Sequence, residues 1–226
     1  MSVSLDDFCD KIQAKIETEY ARRGDTLGWR FLSCPRQNID KASVAFVGLN
    51  PGGRVIDAEN DGFSVETGSA YSVESWGGAR AGKSPLQIQV LSLFELINVS
   101  PENVLSGNIV PFRSGSLAEL NDRKAAFDFG ETIWRSLLLR SKVKLVVAMG
   151  GEATRVSTQL LNIKDIEKVS SGWGKVTIQK GRREDLAFVG LPHLSTFKLL
   201  SNDKCIGALK SVFDEIPNMP AEIEGC

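Results

Sequence analysis

Residues 43–53 read SVAFVGLNPGG, and this stretch decides how the rest of the chain is read. Ser43 to Val47 is a short apolar, β-branched run suited to a buried strand, and Gly48 to Gly53 is a Gly/Pro turn at its C-terminal end. In an open parallel sheet, that end of a strand is where ligands bind. Two glycines and a proline let the backbone turn sharply and approach a ligand closely, while Asn50 brings a neutral amide to the same space.

Working outward, Asn103 to Val110 and Lys144 to Met149 are further candidate strands, ending at Pro111-Phe112-Arg113 and at Gly150-Gly151. Lys175 to Gln179 and Asp185 to Gly190 flank Lys180-Gly181-Arg182-Arg183 and read as a hairpin, whose second arm runs into LPHLSTF. Helical patterns separate the strands. Ser4 to Arg23 opens on a Ser4-x-x-Asp7 cap and spaces Leu5, Phe8, Ile12, Ile16 and Tyr20 as one helix face. Ser84-Pro85 with Gln87 starts a second helix through LQIQVLSLFELI. Ser116-x-x-Glu119 predicts a third, to about Arg140, and others follow Gly150-Gly151 and carry Ile206, Leu209, Val212 and Phe213. Thr26 to Pro35, with Trp29 and Phe31, is a lead-in that covers one sheet edge or joins the core. The alternation predicts an α/β fold, with a parallel sheet covered by helices on both faces.

The 226 residues are 42% hydrophobic and 24% charged, which fits one domain spanning 1–226: a helix and lead-in over 1–42, then a core over 43–215. With 27 basic and 28 acidic residues the net charge is near zero, so any nucleic-acid role needs a local basic face. Cys9, Cys34, Cys205 and Cys226 are widely spaced, without the pairing of a metal cluster or disulfide framework. No signal-peptide core and no long apolar run is present, so a soluble, intracellular, cytoplasmic protein with no membrane partner is expected.

Gly77 to Ser84, GGARAGKS, satisfies a phosphate-loop string. Its context argues against an NTPase, because SAYSVESW before it is a poor strand and Pro85 follows directly. Lys83 remains a candidate phosphate contact. If the main strands are parallel, Asn50, Asn108, Gly150-Gly151 and His193-Leu194-Ser195 gather at one sheet edge. His193 is the single histidine of the chain.

Taken together, these motifs resemble the uracil-DNA glycosylase superfamily. GLNPGG is similar to the first motif of its Gly-x-Asn-Pro-Gly branches, the mismatch-specific and single-strand-selective enzymes. LPHLSTF resembles the second motif, with Leu194 where proline is usual and Phe197 where an apolar wedge stands. NIVPFRS resembles the strand-end Asn that reads the base, and GARAGKSPLQ the start of the helix after motif one in the iron-sulfur branch, whose four cluster cysteines this chain lacks. The resemblance covers about residues 43 to 215. It implies a three-layer αβα sandwich with a mainly parallel four-stranded sheet in the order 2-1-3-4; a monomer with no metal or cofactor is expected.

The function implied is monofunctional excision of uracil, or of another damaged or modified pyrimidine, from single- or double-stranded DNA, in repair or in defence against modified foreign DNA. Asn50 would hold the attacking water, and His193 would stabilise charge on the departing base. Asn108, with Gly48 and Leu49, would bind the base, and Trp76, Tyr71 and Phe63 are the candidates to stack on it. Gly52, Gly53, Ser195, Phe197, Lys198, Arg113 and Lys83 are the candidate DNA contacts. The best basic face comprises Lys175, Lys180, Arg182, Arg183, Lys198 and Lys204. The alternatives are a nucleic-acid-binding member with weak catalysis and the NTPase. No residue pattern names the base.

Overall fold

The computed structural model describes residues 3–57, 59 and 61–216. Strand β1, Val44–Gly48, is buried along its whole length, as its apolar sequence requires. It lies between β2, Val104–Asn108, and β3, Leu145–Met149, with both pairings parallel. Beyond β3 comes β6, Leu186–Leu191, also parallel. The expected order 2-1-3-4 therefore describes the parallel part of the sheet.

The sheet is larger than expected. Strand β5, Thr177–Arg183, pairs antiparallel with β6, and β4, Ile166–Ser170, pairs antiparallel with β5. The result is a mixed six-stranded sheet in the order β2-β1-β3-β6-β5-β4, not a four-stranded one. The Lys180 to Arg183 turn is also corrected: these residues belong to β5, and the chain turns at Glu184, whose φ is 55°. Gly181 serves packing instead, since a Cβ there would lie 2.7 Å from Ile163 and 2.9 Å from Ile166.

Side chains alternate along the strands. Ala45, Val47, Leu105, Val146 and Ala148 face one hydrophobic cluster with helices α1 (Leu5–Arg23), α5 (Arg123–Arg140) and α6 (Gly151–Leu160). Val44, Phe46, Val104, Leu145 and Val147 face another with α4 (Pro85–Leu96) and α7 (Asp203–Asp214). Two short helices, α2 (Asn38–Lys41) and α3 (Ala70–Val73), fill the connections. Among the described residues no helix is long and apolar enough to cross a membrane.

Local signals explain the element ends. The Ser4 side chain accepts from the Asp7 amide, and Ser84 and Gln87 close a reciprocal capping box with Pro85 at the first position. Helix α5 starts later than expected, because Asp122 rather than Ser116 caps it and Leu117–Glu119 forms a separate short turn. Ser116 and Glu119 bond to each other through their side chains, and Glu119 also takes Arg54.

The lead-in covers the outer edge of β2. Leu32 bridges to Gly107, the Asn108 amide donates to the Phe31 carbonyl at 2.9 Å, and the Ser33 amide donates to Ser106 at 2.8 Å. Gly107 permits this approach, since a Cβ there would lie 2.7 Å from the Phe31 carbonyl oxygen. On the helix side, Gly130 of α5 packs against the chain leaving β2: a Cβ would fall 2.2 Å from the Ile109 carbonyl oxygen. At an ordinary helical site, Gly to Ala stabilises by about 1 kcal/mol. Here Gly130→Ala is expected to destabilise by about 1–3 kcal/mol through overpacking, read by denaturant unfolding. A gain in stability would show that α5 is not pinned to the β2 exit.

Candidate functional site

Parallel pairing fixes which residues share an edge. Gly48 stands opposite Asn108, and Met149 opposite Leu191, so the C-terminal ends of the four parallel strands lie side by side. Asn50, two residues past β1, and His193, two past β6, are separated by the end of β3. Two inter-strand spacings put about 10 Å between the strands that carry them. Asn108, at the end of β2, stands on the other side of β1 from β3 and β6.

Each polar group is held in a particular way. The Asn50 Nδ2 donates to Ser114 Oγ at 2.9 Å and to the Pro51 carbonyl at 3.1 Å, with the Phe112 and Ser114 carbonyls at 3.4 and 3.5 Å. With its nitrogen committed to these acceptors, Asn50 keeps Oδ1 as an acceptor that takes no bond from a described residue. Asn108 is held through its backbone: its carbonyl accepts from the Trp134 indole at 2.7 Å and its amide donates to Phe31. Its side-chain amide bonds to no described residue, and Gly48 leaves it room, since a Cβ there would lie 2.9 Å from Oδ1.

The His193 ring rests over Gly150, whose imagined Cβ would lie 3.3 Å from the ring. Its Nδ1 accepts the Ser195 amide at 3.3 Å and lies 2.7 Å from Ser195 Oγ. An amide can only donate, so the neutral ring carries its proton on Nε2. Burial of part of the imidazole holds its pKa below the ordinary value, which keeps it neutral at neutral pH. Ser195, expected as a phosphate contact, thus also orients the histidine. Leu194 is fully buried in the second cluster and anchors this loop in place of a rigid proline.

The motif-one turn is zipped onto the chain leaving β2. The amides of Ile109, Val110 and Ser114 donate to the carbonyls of Gly48, Leu49 and Pro51. Arg113 completes this brace: it is buried, and it donates to the Gly52 carbonyl at 2.7 Å and to Asp61 at 2.6 Å. It is therefore a strut under the turn and not a DNA-facing cation. Gly52 and Gly53 are exposed, and their amides donate to no described residue. Val55 and Ile56, just beyond, are 71% and 67% exposed, an apolar tip that sequence reading passed over.

The three aromatic candidates separate. Phe63 is buried against Phe31 in the first cluster. Tyr71 is buried in the second, edge-on to Phe46, Phe94 and Trp76. Trp76 is half-buried, with its indole donating to Glu74 at 2.8 Å, and Glu74 pairs with the buried Arg30 at 2.5 Å. Lys83 is exposed ahead of α4. No strand precedes GGARAGKS, and the capping box occupies the Ser84 and Gln87 amides, so the phosphate-loop geometry is not formed. The basic face divides. Arg182 and Arg183 pair with the start of β6, at the sheet edge opposite His193, and Lys180 is held by Glu167 and Glu215.

No protein-family model matches the sequence, and no curated protein matches it significantly. Removing one partner of a largely buried ion pair costs about 3–5 kcal/mol. Arg113→Met is expected to approach that loss in denaturant unfolding and to speed proteolysis within residues 52–61. Unchanged cleavage of that loop would show that Arg113 does not brace it.

Proposed function

We propose that the chain is a monofunctional DNA glycosylase that extrudes a pyrimidine nucleotide and hydrolyses its N-glycosidic bond, in repair or in defence against modified foreign DNA. The observation that carries this reading is the trio at one sheet edge: an amide oxygen at Asn50, an unengaged amide at Asn108, and a neutral imidazole at His193 with its donor on Nε2. A base inside a duplex is out of reach, so it must enter a pocket to be read and released. Asn108 offers both a donor and an acceptor to the O4/N3 edge of uracil or a related pyrimidine.

Bond cleavage leaves negative charge on the departing base and positive charge on the sugar. The Nε2 proton of His193, aimed at O2 of the base, stabilises the first as it grows. Asn50 Oδ1 orients a water toward the second; an amide is a weak base, so positioning contributes more than proton abstraction. The free amides of Gly52 and Gly53, with Lys83 and Lys198, supply contacts for flanking phosphates.

Base release from single- and double-stranded oligonucleotides carrying uracil, hydroxymethyluracil, a thymine mismatch, or plain or glucosylated hydroxymethylcytosine tests the reading. His193→Ala and Asn50→Ala are each expected to lower the rate of alkali-labile site formation about a hundredfold or more, with DNA binding retained. Lys83→Ala should weaken DNA binding modestly and leave the rate at saturating DNA largely intact. Tight binding without release from any substrate would instead indicate a binding member of the fold.

The pH profile is a separate check. Because burial lowers the imidazole pKa, the neutral donor form prevails throughout the range above the ordinary value of about 6.5 and extends below it. Release is expected to hold steady from about pH 7 to about pH 9. A rate that falls through about pH 6.5 as pH rises would show that imidazolium is the working form.

A further inference from the structure

The two strands that extend the sheet beyond β6 bring a new side chain to the candidate site. Strand β5 runs antiparallel to β6, with Gln179 opposite Gly190, so the start of β5 lies at the sheet edge where β6 ends. The connection between β4 and β5, residues 171–176, therefore sits beside the His193 loop. It carries Trp173, which is 37% exposed and meets Phe197 edge-on at 6.2 Å between ring centroids.

This tip is rigid. The Ser171 hydroxyl donates to the Val176 carbonyl at 2.8 Å and accepts from the Trp173 amide at 3.2 Å, while the Val176 amide donates to the Trp173 carbonyl at 2.9 Å. Gly172, at φ 78°, lies so close to the start of α7 that a Cβ would sit 2.7 Å from the Lys204 carbonyl oxygen. The other side of the pair is equally fixed: the Phe197 and Thr196 amides both donate to the His193 carbonyl. Two aromatic rings are thus held on separate supports, one of them on the loop that carries His193. Around them, Lys175, Lys198 and Lys204 are exposed and form no ion pair with a described residue, whereas Lys180 on the same hairpin is neutralised.

We propose that Trp173 and Phe197 form a two-ring wedge that enters a DNA duplex at the extruded nucleotide, with Trp173 stacking on the base left unpaired on the opposite strand. This rests on the glycosylase reading. A rigid aromatic face is the group that replaces a lost stacking partner for any base, and uncompensated lysines beside it match the phosphates on either side. Opposite-strand stacking is needed only in a duplex, so Trp173 is a positioning residue for double-stranded substrate.

The test uses a duplex carrying a tetrahydrofuran abasic analogue opposite 2-aminopurine, and the same tetrahydrofuran strand alone. Wild-type protein is expected to quench 2-aminopurine on binding. Trp173→Ala is expected to lose most of the quench and to bind the duplex roughly tenfold more weakly, with single-strand binding unchanged. Trp173→Phe should recover most of both, and Trp173→Leu replaces the alanine variant if thermal unfolding shows the latter to be unstable. Equal duplex binding and quenching by wild type and Trp173→Ala, or an equal loss on the single strand, overturns the wedge while the glycosylase reading stands on its own base-release assay. If the wild type neither binds these DNAs nor releases a base, both fall together.

Discussion

The candidate site depends on the register of one parallel strand pair. Gly48 must stand opposite Asn108, because a slip of one residue would turn every side chain of β2 to the other face and carry the asparagine away from the turn. Three glycines accommodate that register: Gly48 leaves room for the Asn108 side-chain amide, while Gly107 beneath the lead-in and Gly130 of α5 against the Ile109 carbonyl let backbones approach. The pairing then continues past both strands as hydrogen bonds between residues 48–51 and 109–114, which places Asn50 on the same scaffold as Asn108.

Much of this was legible in the sequence because the signals are short-range. Parallel strands buried on both faces read as apolar runs, and caps such as Ser84 with Gln87 are local hydrogen bonds. Strand β4, IEKVS, was not legible, since an edge strand with mostly solvated side chains has no apolar run to announce it. The turn placed at Lys180-Gly181 failed for a related reason: a glycine kept free of Cβ by tertiary packing looks the same in sequence as one chosen for a turn. Ser116 lost the helix start to Asp122 because its partner Glu119 was drawn off to its side chain and to Arg54.

At the site, residue types were readable but their partners were not. Asn50, Asn108 and His193 could be placed at strand ends from pattern alone. That Ser114 sets the orientation of Asn50 and that Arg113 props the turn against Asp61 are contacts between distant segments, while the Ser195 bond to His193 is local but depends on how the loop folds back. Tyr71 and Phe63 were offered to a ligand on type alone, and burial assigns them to two different cores. Charge behaves similarly. A near-neutral chain can still present a cationic face, because many of its cations, Arg54 and Lys180 among them, are cancelled by neighbouring carboxylates, while Lys83, Lys175, Lys198 and Lys204 have none among the described residues.

The lead-in over β2 also bears on how copies of this chain behave toward one another. A sheet margin with unsatisfied amides and carbonyls is a template for another strand, and therefore for aggregation. Here residues 29–33 occupy the β2 margin, with residues 62–65 hydrogen-bonded outside them. The opposite margin is β4, only five residues long, with Glu167 and Lys168 at its centre. One border is closed by the chain itself and the other is short and charged, so strand-to-strand joining between molecules is disfavoured at both.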